Sequence, residues 1–187
     1  MAERIFIVRH GQTEWSANGR HTSRTDVPLT DAGRQDAAAL RGRLGGEEFG
    51  LVLCSPLRRA RETCELAGFA SRSELCDDLR EWSYGDYEGL TTPQIHERDP
   101  DWNLWRDGCP GGETPAEVAE RVDRVLDRFG ATTGQGLAFA HGHILRALTA
   151  RWLEMEVAAG ARFKLSAGAV GVLGHEHGNQ VLDAWSA

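Results

Sequence analysis

Lysine is almost missing from this chain: of its 21 basic residues, all but Lys164 are arginine, and 28 acids leave a formal charge of −7. That balance argues against nucleic acid as the main partner. Long apolar runs are missing as well, since no stretch approaches the roughly 18 residues a membrane helix needs. The four cysteines, Cys54, Cys64, Cys76 and Cys109, include no CxxC pair. A zinc finger or thioredoxin-like centre is thereby excluded, and four separate reduced thiols are expected. No GxxxxGK run occurs, so Gly45–Gly46 and Gly111–Gly112 do not read as nucleotide loops. No repeat, linker or low-complexity tail divides the chain. The opening "MAERIFIVRHG" has an acid at position 3 and a short apolar run, unlike a secretory leader, so a cytoplasmic location is expected.

What is present is an ordinary globular composition, 41% hydrophobic and 26% charged over 187 residues. One domain over 1–187 with a sizeable core is the simplest expectation. Ile5 to Val8 reads as a buried strand followed by a long polar loop. Thr30 and Asp31 offer caps for a helix over 31–44, with Ala37, Leu40 and Leu44 at helical spacing. Leu51 to Cys54 reads as a second strand, and "LRRARETCELAG" as a helix reaching Gly68. Residues 68–113 look irregular apart from a short helix near 92–98. Thr114, Pro115 and Glu117 announce another helix. A strand ending near Ala140, a helix from about Ile144 and two late strands near 168–174 and 180–185 complete the order. Alternating strands and helices predict an α/β fold, a three-layer α/β/α sandwich with a largely parallel central sheet.

The arginine count alone decides nothing, because biased base composition would produce it too. Positions decide. Ligands of parallel sheets bind beyond the carboxyl ends of strands, and three predicted strands end in Arg9–His10, in Ser55 followed by Arg58, and in His141–Gly142–His143. Core packing explains none of these, since each follows its apolar run. Two arginines can hold phosphoryl oxygens through charge-assisted hydrogen bonds. They also disfavour a protonated ring, which keeps His10 neutral and nucleophilic. His141 could donate to the transferring group, and helix starts would add N–H groups. Losing one preorganised donor costs about 2.7–4 kcal/mol of transition-state stabilisation. The leaving alkoxide needs an acid, and "LREWSYGDYEGL" offers Glu81, Asp86 and Glu88. Trp82 and Tyr84 could desolvate Glu81 and prepare it to donate. Arg59 and Arg61 are expected to face solvent or nearby acids.

Five segments in order, "VRHGQTEW", "LTDAG", "SPLRRARET", "LREWSYGDYEG" and "AHGH", resemble the histidine phosphatase superfamily, the phosphoglycerate mutase-like fold. The likeness covers about residues 4–185 and is nearest in appearance to small bacterial acid phosphatases. It implies that His10 becomes phosphohistidine, with Arg9, Arg58 and His141 around the phosphate and Glu81 as proton donor. It also implies lesser contacts from Thr13 and Gly142, and a substrate-bordering loop at Arg20, Thr22 and Ser23. Gln12 stands where many relatives have glutamate, and both occur. The implied reaction is hydrolysis of small phosphate monoesters, without cofactor or metal, on a small phosphorylated metabolite.

Two other readings stay open. A phosphoglycerate mutase would return the phosphoryl group to its substrate, but the acid-arginine-histidine-tyrosine-glycine run typical of mutases is "EWSYG" here. Trp82 and Ser83 replace the basic pair, so phosphatase is favoured. A non-catalytic phospho-ligand or protein-binding module would not need nucleophile and clamp together. The "HEH" at 175–177 reads as a hairpin, not a metal site; Trp102 and Trp105 read as packing and His143 as a helix-start or supporting residue. Neutral His10 with protonated Glu81 predicts an optimum on the acidic side of neutrality. Substrate identity is not legible, and the late strands leave a homodimer open.

Overall fold

The computed structural model describes residues 2–186. Strand β1 (Ile5–Arg9) is buried on both sides, and its side chains divide with the period of two expected of a strand. Ile5 and Ile7 enter one apolar cluster, Phe6 and Val8 the other. The same division holds in β2 (Phe49–Cys54), where Leu53 points opposite to Val52 and Cys54, and in β4 (Gln135–Ala140), where Ala138 and Ala140 oppose Leu137 and Phe139. A sheet apolar on both faces must be covered on both faces.

The covers are helices. On the Phe6 side lie α2 (Asp31–Leu44), through Leu40 and Leu44, and α3 (Arg58–Leu66), through Ala60 and Cys64. On the Ile5 side lie α6 (Pro115–Gly130) and α7 (Gly142–Trp152), with Val118, Val122, Val125, Phe129, Ile144 and Leu148 at helical spacing. Thr30 caps α2 by accepting the Gly33 N–H at 3.0 Å, and Thr114 and Glu117 close a reciprocal cap on α6 with Pro115 at its start. Short pieces, the helices α1 (Glu14–Ala17), α4 (Thr92–His96) and α5 (Leu104–Asp107) and the strand Ser73–Leu75, fill the connections.

With the short strand as β3 and the late ones as β5 (Val170–Glu176) and β6 (Asn179–Ala184), the sheet order is β3-β2-β4-β1-β5-β6. Strands β3, β2, β4 and β1 run parallel, while β5 pairs antiparallel with β1 and with β6. The largely parallel three-layer sandwich is present, with an antiparallel hairpin on one edge. His177 and Gly178, both at positive φ, turn that hairpin where "HEH" reads as one. The four cysteines are free and buried. Among the described residues no helix is long and apolar enough to cross a membrane.

This order puts β4 between β1 and β2, so Arg9–His10, Ser55 and His141 leave three adjacent strands at the same end. The glycine after His10 has a steric reason. A Cβ on Gly11 would lie 2.2 Å from the Gly33 carbonyl oxygen, and only a bare Cα lets the loop touch the start of α2 there.

Candidate active site

A cavity of about 250 Å³ opens at these strand ends, bordered by Arg9, His10, Thr13, Glu81 and Gly142 among others. His10 is 5% exposed and His141 fully buried, with their ring centres 5.1 Å apart. The His10 Nδ1 lies 2.7 Å from the Gly11 carbonyl. A carbonyl only accepts, so Nδ1 carries the hydrogen, and the nitrogen left to a ligand is Nε2. In the neutral ring that nitrogen holds a free lone pair. Burial, and then the charges of Arg59 and Arg9, hold the His10 pKa well below its ordinary value.

His141 has the complementary tautomer. Its Nδ1 accepts from Arg59 Nε at 3.1 Å, which leaves the hydrogen on Nε2, 2.7 Å from the Ser55 hydroxyl. Burial, and then Arg59 and His10, push its pKa well below the usual value too. His10 thus presents a lone pair at the cavity wall, while the His141 N–H is directed at Ser55, and His141 and Arg59 back the cavity without bordering it.

The arginine expectation needs correction. Arg58 lies outside the cavity. Its side chain is 59% exposed and sits 4.0 Å from Glu62, in a separate groove with Cys54 and Arg61, while its N–H donates to Asp26. Arg59, expected in solvent, is the buried one at 0% exposure. Beyond the bond to His141, it donates to the carbonyls of Thr25, Thr22 and Ser23. The reason is helical phase. Arg59 shares the inner face of α3 with Thr63, whose hydroxyl accepts the Gly11 N–H and donates to the Arg59 carbonyl, whereas Arg58 shares the outer face with Glu62. Arg59→Ala is therefore expected to lower kcat/KM by at least about 10²-fold, the scale of one lost preorganised donor. Arg58→Ala should stay within about threefold, as exposed ion pairs contribute little. Steady-state kinetics on one aryl phosphate checks both.

Ser23 is the second correction. It does not border the His10 cavity; its hydroxyl and N–H both bind the Glu88 carboxylate, and Thr25 N–H joins them. Burial pushes the Glu88 pKa up, yet these hydrogen bonds outweigh it and hold it below the usual value. Glu88 is thereby spent on anchoring the 22–25 loop. Thr22 and Arg20 do border the cavity. Thr13 is buried, capping its short helix through the Ser16 N–H at 3.1 Å.

Glu81 is 7% exposed, next to fully buried Trp82 and nearly buried Tyr84. Its Oε1 accepts the N–H groups of Trp82 and Ile144, and its Oε2 that of His143. The first turn of α7 therefore fixes the carboxyl group at the cavity wall. Gly142 lies under Arg9, for a Cβ there would sit 3.3 Å from the Arg9 guanidinium carbon. Arg9 donates from Nη1 to the Leu165 carbonyl at 2.6 Å, while its Nε is buried without a protein partner. Also on the wall are His21 and Arg146, missed by sequence reasoning, and His143 and Tyr84, read there only as supporting residues. Tyr84 Oη and His143 Nδ1 share a hydrogen bond of 2.6 Å, and burial pushes the His21 pKa down to about 4. No spacing rule links 21, 84, 143 and 146, so only assembly of the fold reveals them.

A ring with a free lone pair at the cavity wall beside Arg9, backed by a second buried ring and by Arg59, is an arrangement suited to phosphoryl transfer. The chain belongs to the histidine phosphatase superfamily (branch 1), whose sequence pattern matches residues 5–187. It is similar to an acid phosphatase of Mycobacterium tuberculosis, 45% identical over 184 residues, covering 96% of this chain and 90% of the relative. It is also similar to the sedoheptulose 1,7-bisphosphatase of Saccharomyces cerevisiae, 36% identical, covering 84% and 70%. A solved Mycobacterium tuberculosis structure superposes with a TM-score of 0.92 at 41% identity, covering 100% of this chain and 98% of that one. The protein is a phosphatase of this family.

Proposed function

We propose that the chain hydrolyses small phosphate monoesters through a phosphate carried on His10 Nε2. The observation that carries this reading is the hydrogen bond from His10 Nδ1 to the Gly11 carbonyl, which leaves a nucleophilic nitrogen at the cavity wall in a ring kept neutral by its surroundings. Nε2 attacks phosphorus as the ester oxygen–phosphorus bond breaks. Arg9 and the His141 N–H take the charge that develops on the nonbridging oxygens. Arg59 holds His141 in the tautomer this requires. Glu81 gives its proton to the leaving alkoxide. Its Oε2 has one N–H partner against two on Oε1, so Oε2 is the oxygen with room for that proton. Water then attacks the phosphohistidine, Glu81 takes the water's proton, and inorganic phosphate leaves.

Glu81→Gln tests the acid. An alkyl phosphate leaves as a strong base and needs protonation, whereas p-nitrophenolate leaves without it. Turnover of an alkyl phosphate such as glycerol phosphate is expected to fall about 10²-fold or more, and that of p-nitrophenyl phosphate less than about tenfold. Equal losses on the two substrates would remove Glu81 from the donor role.

A further inference from the structure

An arginine occupies a core position of α6. Val118, Val122 and Val125 form the inner face of that helix, and Arg121 stands among them at helical spacing, 7% exposed. A charge taken out of water is costly unless its polar atoms find partners. Arg121 meets that demand with all five of its N–H groups. Nε and one Nη2 hydrogen go to the two oxygens of the Glu113 carboxylate, at 2.6 and 2.8 Å. The other three go to main-chain carbonyls. Nη1 donates to Asp78 at 2.7 Å and to Arg80 at 2.8 Å, and Nη2 donates to Glu81 at 3.3 Å.

Glu113, just before the Thr114 cap of α6, extends the same hold. Its Oε2 accepts the Ser83 N–H at 2.7 Å, and its own N–H donates to the Ser83 carbonyl at 2.9 Å. Its carbonyl accepts the Trp82 indole N–H at 2.9 Å. Residues 80–84 lie in neither helix nor strand, so their main chain has no ladder partners and needs others. Arg121 and Glu113 provide them for every residue from 80 to 83. The middle of that stretch is Glu81, whose carboxyl group is held separately, by the His143 and Ile144 N–H groups of α7. Thus α7 fixes where the acid ends, and α6 fixes where its main chain starts. An ion pair serving α6 alone would be complete with Glu113. Arg124, three residues further along, shows the contrast: it reaches the same stretch only through the Asp78 carboxylate, at 2.6 Å, with a side chain 57% exposed.

Resting on the reading of Glu81 as proton donor, we infer that Arg121 is the positioning residue of that donor. Its guanidinium, with Glu113, sets the main chain from which the carboxyl group reaches the leaving oxygen. Misplacing a reacting group by about 1 Å can cost as much as 10²-fold, and here the loss falls on the step that needs the proton. The purely structural alternative is that Arg121 only fastens a loop to α6. Its removal would then lower the folded fraction, and every substrate would suffer alike.

The ratio of kcat/KM on glycerol phosphate to kcat/KM on p-nitrophenyl phosphate separates the two, because it is independent of how much protein is folded. Arg121→Met, nearly as long but without donors, is expected to lower that ratio about fivefold or more, and Arg121→Lys should restore part of it. Glu113→Gln, which leaves the arginine but removes one of its acceptors, should lower the ratio about twofold or more. Arg124→Ala should leave it unchanged, since it breaks only an exposed pair. Added to Glu81→Gln, the Arg121→Met change should move the ratio less than about twofold, for a residue acting through Glu81 then has nothing to position. Equal losses on both substrates in Arg121→Met, or an undiminished drop in the Glu81→Gln background, overturn the inference and leave Glu81 as donor. Should Arg121→Met not fold, an unchanged ratio in Glu113→Gln overturns it. Equal losses in Glu81→Gln itself would instead overturn the donor reading on which it rests.

Discussion

Replacing His10 by alanine is expected to lower turnover by at least about 10⁴-fold, the scale seen when a covalent nucleophile is removed from an otherwise intact site. Alternatives to His10 are few on this wall. His141 spends Nδ1 on Arg59 and carries its hydrogen on Nε2, so its neutral ring offers no lone pair to phosphorus. His143 is tied through Nδ1 to Tyr84. His21 shares its Nε2 with the Thr92 hydroxyl at 3.3 Å. Arg9 and Arg59 remain in the variant, so it should still bind phosphate or vanadate while losing hydrolysis. Quenching turnover of a ³²P-labelled monoester should trap acid-labile label on the unaltered protein and none on His10→Ala. His10→Asn, closer in shape to the imidazole, provides the control for packing. Retention of label or of one per cent of turnover in both variants would refute covalent catalysis at this residue.

The placement of His10 and His141 was legible because each is set by a strong local rule, whereas Glu81 lay in a stretch read as irregular, one acid among three. Apolar runs of strand length place residues 10 and 141 just beyond strand ends, and the Thr114–Pro115–Glu117 cap fixes α6 to the residue. The arginine was misread where two candidates stand side by side. Arg58 and Arg59 differ by about 100° around a helix, and which one faces inward depends on the phase of α3. That phase was written in the chain. Ala60, Thr63, Cys64 and Ala67 form the small, buried face, and Arg59 lies four residues before Thr63 on it. Glu88 illustrates the opposite limit. Its carboxylate looks as free as that of Glu81 until the 22–25 loop folds over it, and no local rule brings residues 65 positions apart together. The same holds for Arg146, whose helix was foreseen but whose partners, Trp105 and Gly160, come from two other segments.

Acidification is expected to unfold the protein before it silences the nucleophile. His10 and His141 are buried and their pKa values lie well below 6.5 in the fold, while in the unfolded chain each titrates near 6.5. Above that pH both states are neutral at these rings, and neither contributes to pH dependence. As the pH falls through 6.5, the unfolded chain takes up protons that the folded one refuses, so folding stability is lost. Each ring that stays neutral in the fold costs on the order of 1 kcal/mol per pH unit below its unfolded value, against a typical domain's 5–15 kcal/mol. The partly exposed His21 and His143 shift the same way. So does Glu88, whose lowered pKa means that stability is lost as it protonates in the fold. One effect opposes them: the net charge of −7 shrinks toward zero near the pI of about 5.5, which relieves repulsion. Thermal unfolding should show a Tm lower by several degrees at pH 5.5 than at pH 7.5. His141→Asn should flatten that dependence whatever its effect on stability at pH 7.5. Saturating vanadate, binding only the folded site, should recover about 2.7 kcal/mol at a hundred times its Kd. Loss of activity toward pH 5.5 should then follow the folded fraction and not protonation of His10, whose pKa is held well below 6.5. A Tm–pH profile that His141→Asn leaves unchanged would show that this ring does not refuse protons in the fold, and the neutral pair would fall with it.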